Sequence, residues 1–106
     1  MADRTYAAAC QTSFACPRSR DEIHERVTRM IAMVEQTIAG YEPFFDVRLF
    51  AFPEFAHAAP VYGSVAELER HLAVELPNEH TDRYAALARK RGIYIQTGSF
   101  IERRAD

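Results

Sequence analysis

The run Val47-Arg48-Leu49-Phe50-Ala51-Phe52, stopped by Pro53, constrains this chain more than any other segment. Its mixture of β-branched, aromatic and aliphatic residues carries no helical stripe and predicts a strand over 47–52 buried on both faces. Proline has no N–H to offer a ladder, so the strand ends there. Glu54 follows at once, flanked by Phe52 and Phe55. A carboxylate at the mouth of a buried strand, between two rings that partly exclude water, is placed as a general base would be. The same placement also suits an ordinary solvated acid at a strand end.

Strand and helix signals alternate on either side of this run. Residues 6–11, Tyr-Ala-Ala-Ala-Cys-Gln, read as a short buried strand, and 12–18 as a loop. Ser19-Arg20-Asp21-Glu22 has the capping-box spacing, so a helix starts there. Ile23, Val27, Met30, Ile31, Val34 and Ile38 give it one apolar stripe, and Gly40 is the expected stop. After Glu54, residues 55–63 are irregular, aromatic and poor in charge, as expected of a pocket lining. Ser64-Val65-Ala66-Glu67 is a second capping box, opening a short helix to about residue 73 supported by Val65, Leu68 and Leu72. Pro77 closes that segment. Residues 78–91 form a further helix with Tyr84, Leu87 and Ala88 as its stripe, the basic end Arg89-Lys90-Arg91 complementing the dipole, and Gly92 as cap. The basic triplet reads as a solvated helix end. Residues 93–101 predict a last strand, followed by a polar tail over 102–106.

The order β-α-β-α-β implies an α/β fold with right-handed crossovers and a largely parallel sheet. Ligands of such sheets bind beyond the carboxyl ends of the strands, which is where Glu54 falls.

With 106 residues the chain has the length of one domain. A formal net charge of -2 with interspersed signs provides no basic face for nucleic acid. No apolar stretch reaches membrane-span length, and Met1-Ala2-Asp3-Arg4-Thr5 lacks the apolar core of a secretory signal, so a cytoplasmic location is expected. Cys10 and Cys16 are too few for a disulfide framework and are not spaced as a zinc motif, so both are expected reduced. Cys10 reads as a small core residue and Cys16 as an exposed loop residue, neither with a nearby histidine in sequence to activate it.

No metal site is expected. Glu54 and His57 have the glutamate-to-histidine spacing of di-iron bundles, but Pro53 and Pro60 exclude the long helix that geometry needs. His24, His71 and His80 are scattered over helices or their starts and read as surface or capping residues.

Taken together, these segments resemble the start of the nitrilase, or carbon-nitrogen hydrolase, superfamily. The resemblance covers essentially the whole chain: the first strand Tyr6 to Gln11, the amphipathic helix after it, Phe52-Pro53-Glu54-Phe55, Gly63, and the ending from Gly92 through Ile93-Tyr94-Ile95-Gln96-Thr97-Gly98-Ser99 to Phe100. The strand with Phe-Pro-Glu is its most specific part. The resemblance implies the N-terminal portion of a four-layer α-β-β-α sandwich, with residues 1–106 part of a single larger domain and Glu54 the general base. It implies hydrolysis of a non-peptide carbon-nitrogen bond, in an amide, N-carbamoyl compound or nitrile, through a Glu-Lys-Cys triad and a thioester acyl-enzyme, with no cofactor.

The family's lysine and cysteine lie on later strands, and no residue here matches them. Lys90, the sole lysine, sits among arginines on an expected helix, and neither cysteine has the nucleophile's surroundings. Phe55, His57 and Tyr62 follow the base and are the candidates for substrate contact. Family members usually form dimers or larger assemblies through outer helices, so a homo-oligomer is expected, together with a lysine and a cysteine from the remainder of the polypeptide or a complementary chain. The competing expectations are a small α/β binding or regulatory module that catalyses nothing, and a pseudoenzyme subunit that keeps the fold without the triad.

Overall fold

A computed structural model of the chain describes residues 5–104. The start of the segment read for a secretory signal, residues 1–4, and the last two residues of the polar tail lie outside the described residues. The elements follow the order β1 (Tyr6–Ala9), α1 (Arg20–Tyr41), β2 (Val47–Ala51), α2 (Val65–His71), α3 (Glu79–Arg91) and β3 (Tyr94–Gln96). The three strands form one parallel sheet in the order β1-β2-β3, with Ala8 opposite Phe50 and Phe50 opposite Ile95.

Local chemistry sets the helix starts. Ser19 Oγ accepts the N–H of Glu22, and a Glu22 carboxylate oxygen accepts the N–H of Ser19 at 3.2 Å, so both arms of the box are made. At α2 the Glu67 N–H donates to Ser64 Oγ at 3.2 Å. At α3 the Asn78 side-chain oxygen accepts the N–H groups of His80 and Thr81, at 2.8 and 3.0 Å. Gly92, at φ 66°, ends α3 in the left-handed conformation, as expected.

Gly40 does not end α1. The helix runs one residue further to Tyr41, and Glu42, extended at φ -69° and ψ 137°, caps it through an N–H bond to the Ile38 carbonyl. The stop comes from Pro43, which drives the residue before it out of the helical region.

Helices α1 and α3 pack on one face of the sheet. Ile23, Val27, Met30 and Val34 from α1 and Tyr84 and Leu87 from α3 are buried with Phe50 and Phe52. Side chains alternate across a strand, so the neighbours of Phe50 turn to the other face. There β2 departs from the expectation of burial on both sides: Leu49 is 38% exposed and its partner across the ladder, Tyr94, 77%. In α2, Leu72 beyond the helix end is buried, but Val65 is 79% exposed and gives no support.

The last strand is much shorter than expected. Only Tyr94–Gln96 joins the sheet, because Gly98 takes φ 85° and turns the chain away. The segment then makes a single parallel bridge, Val74 to Glu102, with the Val74 N–H on the Ile101 carbonyl and the Arg103 N–H on the Val74 carbonyl. Nor is the basic end of α3 wholly solvated: the Arg91 guanidinium forks onto the Glu35 carboxylate of α1 and ties the two helices together. This pair holds the Glu35 carboxyl below its ordinary pKa, chiefly through the hydrogen bond from Arg91.

Candidate active site

Backbone contacts from two directions hold Glu54. The Phe52 N–H donates to the Gln96 carbonyl at 3.0 Å, so the ladder reaches the last residue before Pro53. A turn follows, closed by the Ala56 N–H on the Pro53 carbonyl at 3.2 Å. Across from it the Ser99 N–H donates to the Glu54 carbonyl at 2.7 Å. Gly98 lies so close that a Cβ built on it would stand 2.4 Å from the Pro53 carbonyl oxygen and 3.0 Å from that of Glu54. The peptide carrying Glu54 is thereby pinned between the end of β2 and the exit of β3.

The side chain is free. Glu54 is exposed, Phe52 is turned into the core and Phe55 is 46% exposed, so the two rings do not close over the carboxylate as expected from the sequence. Four hollows on the surface of the described residues are lined by residues other than Glu54.

The other candidates occupy different settings. Tyr62 is half-buried: its hydroxyl donates to the Arg18 carbonyl at 2.8 Å, the Arg18 guanidinium lies 4.6 Å above its ring, and the His71 imidazole stacks on it at 4.8 Å. His57 is fully buried and belongs to the core rather than to an accessible pocket wall. Its ring packs 4.2 Å from Phe100 and 6.0 Å from Tyr84, and neither ring nitrogen has a partner among the described residues.

Burial, with a smaller contribution from the neighbouring His80, lowers the His57 pKa to about 4. Between that value and the ordinary 6.5 the unfolded chain takes up a proton that the native chain refuses. Stability is therefore full above about pH 6.5 and falls by roughly 3 kcal/mol as the pH drops toward 4, where the loss levels off. Urea midpoints from pH 7.5 to pH 4 check this, and His57→Phe, which keeps a ring in the core, is expected to flatten that part of the profile.

Both cysteines lie near the carboxyl ends of the strands. The Cys10 N–H donates to the Ala51 carbonyl at 2.8 Å, but its thiol is partly buried against the core and burial pushes its pKa up, away from a reactive thiolate. Cys16 is exposed and makes one long contact of 3.9 Å to the Phe55 carbonyl. That contact brings a thiol beside the loop of Glu54, a proximity the spacing in sequence did not announce. Lys90, exposed near the end of α3, precedes β3. It thus lies toward the amino ends of parallel strands, separated from Glu54 by about the length of β2, roughly 15 Å.

Two further features depend on pairs distant in sequence. The support of Glu54 by Gly98 and Ser99 had one visible signal, a glycine inside a strand pattern, which often marks close backbone approach. The meeting of His24, Glu79 and His80, whose donor atoms lie within 4.8 Å of one another, had none; His80 is 4% exposed rather than a surface residue.

Comparison of the chain with family models, with curated proteins and with solved structures gave no match in any of the three.

Proposed function

We propose that these residues are the N-terminal portion of a carbon-nitrogen hydrolase domain in which Glu54 is the general base. The observation that carries the proposal is the placement of Glu54 directly after Pro53 at the carboxyl end of the central strand of a parallel sheet, its peptide held by Ser99 and Gly98. A second observation supports the layered architecture. Parallel sheets are nearly always covered on both faces, yet among the described residues the face with Ala7, Ala9, Leu49, Ala51, Tyr94 and Gln96 is largely uncovered and, apart from Gln96, apolar. A second sheet packed there completes the α-β-β-α sandwich, and the elements beyond it bring the lysine and the cysteine.

In the proposed reaction the Glu54 carboxylate takes the thiol proton as sulfur attacks the substrate carbon. The lysine ammonium holds the negative charge that develops on the former carbonyl oxygen. Glu54 returns the proton to the leaving ammonia or amine, and a thioester remains. Glu54 then removes a proton from water as it attacks the thioester, and the acid leaves with the thiol restored. Closure of the open face around Glu54 by the added layer supplies the exclusion of water that the exposed carboxylate lacks. Amides are favoured over nitriles as substrates because amidases are the larger part of the family it resembles. Phe55 and Tyr62 are the accessible candidates for substrate contact, and a homo-oligomer is the proposed assembly.

The experiment is a panel of short amides, N-carbamoyl amino acids and nitriles, assayed for ammonia release by the polypeptide that joins these residues to the proposed lysine- and cysteine-bearing elements, with hydroxylamine added to trap the thioester as a hydroxamate. Turnover with hydroxamate formation is the expected result. Full turnover by a polypeptide of about 12 kDa with no second chain would contradict the division of the triad. The exposure of Glu54 favours one other reading, a non-catalytic binding or pseudoenzyme subunit, and absence of turnover across the whole panel supports it.

A further inference from the structure

A hollow of about 630 Å³ opens where the start of α3 meets α1, with Arg20, Asp21, His24, Glu79, His80 and Arg103 among its lining. The juxtaposition is built into the helix packing. Arg83 of α3 donates to the His24 carbonyl at 3.3 Å and to Thr28 Oγ1 at 2.8 Å, which holds the first turns of α1 against α3. The donor atoms of His24, Glu79 and His80 lie within 4.8 Å of one another.

His80 is the unusual member. It is 4% exposed, its Nδ1 is buried with no hydrogen-bond partner, and its Nε2 stands 3.8 Å from Glu79 Oε1, beyond hydrogen-bond range. A buried imidazole is normally hydrogen-bonded, and here Nε2, the ring nitrogen that stands near the Glu79 carboxylate, is too far from it for a hydrogen bond and near enough to share a ligand with it.

An anion fits the hollow less well than a cation. The N–H groups of His80 and Thr81 at the start of α3 are already taken by Asn78. Arg20 spends its guanidinium on the carbonyls of Ala73, Arg70 and Glu69, each at 2.8 Å. The hollow also holds three carboxylates, Asp21, Glu75 and Glu79, against the two guanidiniums of Arg20 and Arg103.

We propose that His24, Glu79 and His80 form a binding site for one divalent cation of the zinc class, joining the start of α3 to α1. Two imidazoles and one carboxylate suit zinc and its transition-metal neighbours, whereas calcium and magnesium take shells of oxygen. In a tetrahedral site the ligand atoms stand about 3.4 Å apart. The exposed side chains of His24 and Glu79 rotate to close the difference, and a water completes the fourth position.

The test is titration of the chelator-treated full chain with Zn²⁺ alone by calorimetry, and with Co²⁺ followed by its visible absorption. One equivalent of zinc, with the strong bands of four-coordinate cobalt, is the expected result. His24→Gln and Glu79→Gln, both at exposed positions that leave the fold in place, are each expected to weaken binding by roughly tenfold or more with an unchanged far-ultraviolet spectrum. His71→Gln, whose ring stacks on Tyr62, is the control and leaves the affinity unchanged. Failure to take up zinc, or affinity equal to wild type in either of the first two variants, overturns the proposal. Equal loss in the His71 control does so too.

Discussion

Gly98→Ala is expected to destabilise the fold by about 3 kcal/mol, the sum of two independent costs. At φ 85° an L side chain meets its own backbone, which accounts for about 1–2 kcal/mol. The new Cβ also falls 2.4 Å from the Pro53 carbonyl oxygen, and overpacking of this kind costs about 1–3 kcal/mol. Because the atoms it meets are backbone, no side-chain rotation relieves the clash. Either β3 separates from β2 at this end or the Pro53-Glu54 peptide shifts and loses its 2.7 Å bond from Ser99. Thermal unfolding is expected roughly 10–20 °C lower than for the unaltered chain. Gly63→Ala is the matching control, since nothing lies within 4 Å of a Cβ at that exposed glycine and the change there is expected to stay within about 0.5 kcal/mol. Equal stability of the two variants would show that the approach of Gly98 to Pro53 is not maintained in solution.

Glu54→Gln is expected to act on activity and to leave stability alone. The glutamine keeps the size and the backbone carbonyl that Ser99 bonds, and the side chain it replaces is exposed. In the proposed chemistry it removes the group that carries the proton in every step. Loss of a general acid-base residue lowers the rate by about 10²–10⁴-fold, and here the upper part of that range applies because the same carboxylate serves acylation and deacylation. The measurement is kcat/KM for an amide with an unfolding curve beside it. A variant with full activity removes Glu54 from the mechanism, and a variant that loses stability together with activity makes it a structural residue. The two substitutions thus separate two properties of one turn: Gly98 places the peptide, and in the proposed chemistry Glu54 supplies the proton acceptor.

Much of the framework was legible locally. Ser19, Ser64 and Asn78 mark three helix starts through bonds to N–H groups two or three residues on, and Gly92 marks a helix end through its own backbone angles. Such signals survive in sequence because both partners of each bond lie within one turn. The structure departs from the local rules where a stronger competitor acts. Gly40 is a plausible helix stop, but Pro43 acts more forcefully and sits close enough to take over. The apolar pattern of 93–101 reads as one strand, yet packing of Gly98 against Pro53 breaks it after Gln96.

The exposure of Leu49 has a different physical reason. A two-sided apolar strand implies a covering layer on each face, and these residues provide helices for only one. His57 illustrates the converse. Its neighbours in sequence gave no sign of burial, but Phe100 and Tyr84 arrive from distant parts of the chain and enclose it.

For this protein, then, element type and order, the caps, and the position of Glu54 just past a proline-terminated strand follow from interactions spanning a few residues, and these can be read in one dimension. Which face of the sheet is covered, where β3 breaks, which groups hold the Glu54 peptide, and that His24 meets Glu79 and His80 depend on pairs tens of residues apart. Long-range pairs form only where strand register and helix packing jointly permit them, and no local pattern encodes that geometry.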